Sequence, residues 1–223
     1  LEMMYEIIYE TKFEDEKRLR EIIARIKSRM ESNMTGSGHT VAMLSAMAQF
    51  SPSSYYSDIL RGYQYYEFIE KADRDFDSMK EMLAENLKRT AALIFTKENL
   101  TVSFTAEDDG LELLQKPMTE FVAKLARLQE KDAVRTFRPV KEKTAYTSSS
   151  QVQYVARCGN YRKAGYEYTG ALKVLKIIFS YDYLWLNVRV KGGAYGCMSG
   201  FYRKGDTYMV SYRDPNLAET NTI

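Results

Sequence analysis

Histidine is almost missing from this sequence, with His39 the single one in 223 residues. Hydrolytic zinc centres usually take two or three imidazoles with a carboxylate, and the helical motifs H-E-x-x-H and H-x-x-E-H set two on one face. Neither can be written with one histidine, so no residue of this chain is assigned to a metal. A Ser-His-Asp or Cys-His pair would have to use His39, which follows Gly36-Ser37-Gly38 with no G-x-S-x-G elbow beside it. His39 reads instead as a polar residue opening a helix. Phosphate-cradling motifs of the G-x-x-x-x-G-K-[ST] and G-x-G-x-x-G kinds are absent as well. A complete catalyst of the common hydrolytic types is therefore not expected.

Cysteine is scarce too. Cys158 and Cys197 form no C-x-x-C pair, and two distant thiols suit a reducing compartment better than a disulfide framework, a Cys158–Cys197 bridge being the alternative. Charge of one sign is lacking, with 32 basic against 30 acidic side chains, so no footprint for nucleic acid exists. No apolar run approaches the roughly 20 residues of a membrane span, and no signal peptide is recognisable. The expected partners therefore include neither nucleic acid nor membrane.

What is present is a hydrophobic content of 45%, enough for a real core, and 18 tyrosines. Periodicity predicts an α+β chain, helices packed on antiparallel strands. Leu1 to Glu10 reads as helix. Asp15 caps a second helix carrying Leu19, Ile22, Ile23, Ile26, Met30 and Met34, which Gly36-Ser37-Gly38 stops; another runs from His39 to Gln49. Ser51-Pro52 starts a helix through Tyr55, Tyr63 and Ile69, whose tyrosines serve packing or, alternatively, ligand stacking. Asp77 opens the next, ending near Phe95. Leu100, Val102 and Phe104 alternate with Thr101, Ser103 and Thr105 as a strand, Asp108-Asp109-Gly110 turns the chain, and a helix follows from Leu111 to about Gln129.

The pattern lapses after Glu130, and residues 139–150 read as a linker between 1–138 and 151–223. Val152, Tyr154 and Ala156 begin a strand that Gly159-Asn160 turns out of. Tyr168 to Val188 is apolar nearly all round and is expected to be a buried helix. Strands Tyr195 to Tyr202 and Thr207 to Tyr212 form a hairpin. Asp214-Pro215-Asn216 ends it, and Leu217 starts a further helix.

Between that helix and the hairpin lies Arg189 to Gly200, R-V-K-G-G-A-Y-G-C-M-S-G, with three glycines in its first eight residues. Such backbone serves either as a tight helix-to-strand turn or as a place where another chain lies close. The order strand, turn, apolar helix, R-V-K-G-G-A-Y-G and a hairpin ending S-Y-R-D-P-N resembles the C-terminal half of the pitrilysin or insulinase class of zinc peptidases, in its presequence protease branch. S-G-H-T, A-Q-F-S-P-S and R-G-Y-Q-Y-Y-E-F between residues 37 and 68 resemble the preceding domain of the same proteins.

The resemblance implies a mitochondrial processing peptidase-like α+β fold and an endopeptidase of four homologous domains that closes around unfolded peptides. It assigns 1–138 to the later part of the third domain and 151–223 to the first part of the fourth. Zinc would be held by the missing N-terminal catalytic half, with none in this chain. Arg189 and Tyr195 correspond to a substrate-binding pair, Tyr195 donating a hydrogen bond to the scissile carbonyl, while Gly192 and Gly193 position them. The chain alone would be inactive and could self-associate. Its expected setting is the bacterial cytoplasm, or the mitochondrial matrix in a eukaryote. The alternative is an autonomous, non-proteolytic peptide- or partner-binding module of the same fold.

Overall fold

The computed structural model describes residues 1–128, 137 and 142–223. In chain order the elements are α1 (Glu2–Tyr9), α2 (Glu16–Ala48), α3 (Pro52–Arg61), α4 (Tyr63–Arg74), α5 (Phe76–Ile94), α6 (Asp108–Lys124), β1 (Ala156–Asn160), α7 (Ala171–Ile178), β2 (Gly196–Phe201), β3 (Asp206–Tyr212) and α8 (Leu217–Thr220). After α7 the chain keeps coiling in wider, π-helical turns over Phe179–Tyr183 and Trp185–Lys191. This is the expected mixture of helices and a small antiparallel sheet. Two compact units divide it, one of Leu1–Ala24 with Lys71–Arg135, the other of Arg25–Glu70 with Thr136–Ile223.

The first unit is helical. The Asp15 carboxylate accepts the Arg18 N–H at 2.9 Å, the expected cap at the start of α2. Ile23, Ala72, Phe76, Leu83, Ala84, Phe121 and Leu125 are its buried apolar residues. Over them Arg20 lies 4.3 Å from the Phe76 ring centre, and ion pairs join Arg20 to Asp77 at 2.7 Å, Lys80 to Glu16 at 2.8 Å, and Lys88 to Glu14. Exposed pairs of this kind contribute about 0–1 kcal/mol each, so burial of the apolar face carries the packing. Tyr9 ties three segments together: its hydroxyl donates to Phe95 O and accepts from Ala126 N.

Two expectations fail in this unit. Residues 100–106 are not a strand, because no neighbouring backbone among the described residues pairs with them and Val102 and Phe104 stay exposed; alternation alone does not make a strand without a ladder partner. Asp108-Asp109-Gly110 is not a turn but the first turn of α6, where Asp109 accepts the Gly110 N–H and acidic residues suit the positive end of the helix dipole. α6 ends at Lys124, short of the expected Gln129, with Leu125 already extended at ψ 143°; Gln129 itself and linker residues 139–141 lie outside the described residues.

The second unit is built on a three-stranded antiparallel sheet in the order β1-β3-β2. Ala156 and Met198 flank Val210, and Gly196 pairs with Tyr212. The π-helical segment lays Leu184 and Val188 on this sheet with Ala194, against Phe179, Cys197 and Met209. Its other side is open: Val174, Ile177, Tyr181, Leu186 and Val190 are exposed, so the expected all-round burial holds for one face only. Apolar composition signals burial only where something packs on every side.

One expected boundary holds and two need correction. Gly36-Ser37-Gly38 interrupts α2 as expected: Ser37, at φ −131° and ψ 33°, is not helical, and two helices meet across a kink there, as at other Gly/Ser pairs. The helix expected from Pro52 to Ile69 is cut at Gly62, because Asp58, 2% exposed, caps a new helix through the Tyr63 N–H at 2.9 Å and Gln64 Nε2 at 2.8 Å. Gly159 and Asn160 stay in β1 opposite Thr207 and Asp206, and the chain turns at 161–165 instead. Ser51 precedes α3 as expected, yet its hydroxyl donates to buried Asp206 at 2.8 Å, while Asn160 Nδ2 donates to the other Asp206 oxygen at 2.8 Å. Within 142–150, Tyr146 stacks on Tyr63 at 3.7 Å and bonds Ser45 at 2.7 Å.

Candidate functional site

The glycine bend is built by the end of the π-helical segment. Gly192 donates its N–H five residues back to Asn187 O at 3.0 Å, Gly193 to Arg189 O at 2.9 Å, and Ala194 to Val188 O at 3.1 Å. The two glycines are needed for different reasons. Gly193 sits at φ +78°, a left-handed conformation that a Cβ disfavours. Gly192 is right-handed, but a Cβ there would stand 2.6 Å from Val188 O. Ala194 then plugs into the core beside Leu184 and Val188, which turns Tyr195 outward.

Tyr195 is 66% exposed, and its N–H bonds Arg213 O at 3.2 Å. Arg189 is partly exposed; its guanidinium carbon lies 4.0 Å from the Trp185 ring centre and 5.8 Å from that of Tyr195. The bend therefore brings the two sequence-predicted residues together. Cation–π contacts at exposed positions contribute about 0.5–1 kcal/mol each, enough to bias the guanidinium toward this position.

The aromatic row continues inward. Tyr195 meets Tyr212 edge-on at 5.9 Å, and Tyr212 meets His39 edge-on at 4.8 Å. Tyr154 closes the group at 5.7 Å from Tyr212, its hydroxyl donating to Thr35 O at 2.7 Å. Gly38 makes room, since a Cβ there would collide with the Tyr154 ring. His39 opens the part of α2 that follows the kink at Ser37, with Nδ1 buried and without a hydrogen-bond partner among the described residues. Burial pushes its pKa below the ordinary imidazole value.

Trp185, Tyr154, His39 and Tyr212 were not among the sequence-predicted site residues. Trp185 was within reach, four residues before Arg189 on one helix face; Tyr212 was not, because its place depends on the register with Gly196.

Beneath the site, a cavity of about 350 Å³ lies among Cys158, Leu184, Val188, Cys197, Met209 and Ile223. Both cysteines are free. Burial, then the Asp206 carboxylate, pushes the Cys158 thiol up to about 12, and burial raises that of Cys197 against the opposing pull of Arg189. Thiols held protonated are poor nucleophiles at neutral pH. Among the described residues no group of three or more His, Cys, Asp or Glu side chains could hold a metal ion, and no helix is long and apolar enough to cross a membrane.

Known families match at both ends of the chain. Residues 1–71 match a family model described as peptidase-associated, and residues 143–223 match the PreP C-terminal domain, the part that carries the sheet, the glycine bend and both site residues. The two matches together make the chain similar to the C-terminal region of presequence protease-like peptidases. Among curated relatives, Protein HypA of Clostridium perfringens is 35% identical over 99% of this chain and 22% of its own length. Presequence protease 1, chloroplastic/mitochondrial, of Arabidopsis thaliana is 29% identical over 97% of this chain and 20% of its own length. The mitochondrial presequence protease of Xenopus laevis is 24% identical over 96% and 24%. The chain therefore spans about a fifth to a quarter of these relatives.

Proposed function

We propose that this chain is the non-catalytic, substrate-holding portion of a zinc-dependent endopeptidase that degrades unstructured peptides in a closed chamber. Residues 1–138 belong to its third domain and 151–223 to its fourth. The observation that carries this reading is the pair made by partly exposed Arg189 and exposed Tyr195, the guanidinium carbon lying 5.8 Å from the Tyr195 ring centre at the end of a helix packed into the core. Peptide carbonyls on one side of an extended strand repeat every two residues, about 6.6–6.8 Å. Two neighbouring side chains of this length can therefore serve the main chain of one bound strand.

Tyr195 donates its phenolic proton to the scissile carbonyl oxygen as that atom gains negative charge, a contribution on the order of 10² to 10³ in rate. Arg189 supplies a fork of N–H donors to a neighbouring main-chain carbonyl and reads no side chain, which suits substrates of mixed sequence. The donor set of the described residues does not fit a zinc ion. The metal of the whole enzyme would be held by an N-terminal half outside this chain, and the chain by itself would not hydrolyse peptides. A bacterial cytoplasm or a mitochondrial matrix is the setting that goes with this reading.

The test uses the full-length protein. Tyr195→Phe should lower kcat/KM for an unstructured peptide by about 10²-fold with an unchanged melting temperature. Unchanged kinetics would refute the assignment.

A further inference from the structure

The segment Arg213-Asp214-Pro215-Asn216 follows β3 and has no role in the reading above, yet it touches both ends of the glycine bend. Asn216 Nδ2 donates to Gly192 O at 2.5 Å. The Arg213 carbonyl accepts the Tyr195 N–H at 3.2 Å. Pro215 Cγ lies 3.5 Å from where a Gly193 side chain would begin. The peptide units from Gly192 to Tyr195 are thus braced on one side by a single corner.

That corner is rigid. Asp214 is fully buried, and its backbone exchanges two 2.9 Å hydrogen bonds with Gln153. Asp214 Oδ1 accepts the Asn216 N–H at 2.9 Å, which aims the Asn216 amide at Gly192. Arg213 has φ 49° and is the one non-glycine residue with positive φ among the described residues. A left-handed arginine is strained, and such strain persists where surrounding bonds over-determine the backbone. Here those bonds are the Gln153 pair and the Tyr195 N–H.

Resting on the proposed role of Arg189 and Tyr195, we infer that Asn216, oriented by Asp214, is a positioning residue: it fixes the Gly192 carbonyl and so sets the separation of the guanidinium and the phenol. Neither Asp214 nor Asn216 needs to touch substrate. With Asn216 truncated, the Gly192 carbonyl loses its brace, Gly193 can move through its wide conformational range, and the two donors fall out of register with the peptide. Ground-state affinity, spread over many contacts, changes less than turnover.

The full-length protein carrying Asn216→Ala is compared with wild type by hydrogen exchange and by peptide kinetics. Amides of Gly193, Ala194 and Tyr195 should exchange about tenfold faster, as expected for loss of one buried hydrogen bond, while those of Met198 and Val210 keep their protection. Turnover should fall about tenfold with KM within about twofold, and the loss should vanish in a Tyr195→Phe background, since both changes act through one group. Asn216→Asp, equal in size but an acceptor facing a carbonyl, should reproduce these effects and serves if the alanine variant folds poorly. Unchanged exchange at 193–195 would overturn the inference, as would additive losses in the double variant. A silent Tyr195→Phe with accelerated exchange would instead sink the substrate-binding reading and leave the brace standing.

Discussion

Alanine at Gly36 and alanine at Gly38 should move stability in opposite directions. Both glycines lie in α2, one on each side of kinked Ser37. A Cβ at Gly36 meets nothing within 4 Å, whereas one at Gly38 would stand 2.5 Å from Tyr154 Cε2. Tyr154 cannot simply withdraw, because its hydroxyl is bonded to Thr35 O and its ring tilts against His39 and Tyr212. In a helix interior, alanine gains about 0.5–1 kcal/mol over glycine, and at Gly36, which ends the helix before the kink at Ser37, up to that gain should appear with no contact to oppose it. At Gly38 it is opposed by overpacking of about 1–3 kcal/mol and by about 1 kcal/mol for a loosened hydrogen bond. A net loss of about 1–3 kcal/mol remains, so the two variants should differ by roughly 2–4 kcal/mol. Trp185, the one tryptophan of the chain, lies in the same compact unit and reports its unfolding. With a urea slope of about 1–3 kcal/mol per molar, the emission midpoints should separate by about 0.7–4 M. Equal midpoints, or a stabilised Gly38→Ala protein, would refute the close-approach argument.

Ser51→Ala should cost about 0.5–1.5 kcal/mol by the same emission measurement, since it removes a 2.8 Å hydrogen bond from Oδ2 of Asp206, 3% exposed, and leaves that oxygen only Lys204 Nζ at 3.4 Å; a shift below a few tenths would show that the bond is replaced by another. Stability should also fall on acidification through His39. Burial lowers its folded pKa below about 6.5, so the unfolded chain takes up a proton first as pH falls. The contribution is fully present above about pH 7 and is lost progressively as the pH falls below about 6.5. His39→Gln should flatten that part of the curve, and an unaltered pH profile in this variant would count against a buried neutral imidazole.

The helices were legible wherever local chemistry decides the outcome. The Asp15 cap, the Pro52 start and the Phe95 end all follow from residues within one turn of the boundary. The sheet was partly legible: β2 and β3 alternate and are joined by a short turn, so pattern and pairing agree. Leu100 to Thr105 alternates equally well and forms no strand, because a ladder needs a partner that local sequence cannot supply. The split at Gly62 was hidden for a related reason, since it depends on Asp58 being buried where capping outweighs continuation of the helix. In the site, Arg189, Tyr195 and the two glycines stood out by their resemblance to a family pattern. Tyr212 and His39 did not, because they reach the site through strand register and through the packing of α2 beyond its kink.

The winding of Phe179 to Lys191 has a consequence of its own. Loops closed five residues apart, as between Asn187 and Gly192, accommodate one residue more per revolution than ordinary coiling would. The compass bearing of Arg189 relative to the core anchors Leu184 and Val188 is consequently a property of the coil's pitch as well as of residue identity. Deleting one residue between Leu184 and Arg189 would let the coil tighten and swing the guanidinium by up to about 100° around the axis, away from Tyr195, with both groups chemically intact. Length variation in this stretch would behave as a rotary adjustment of the site.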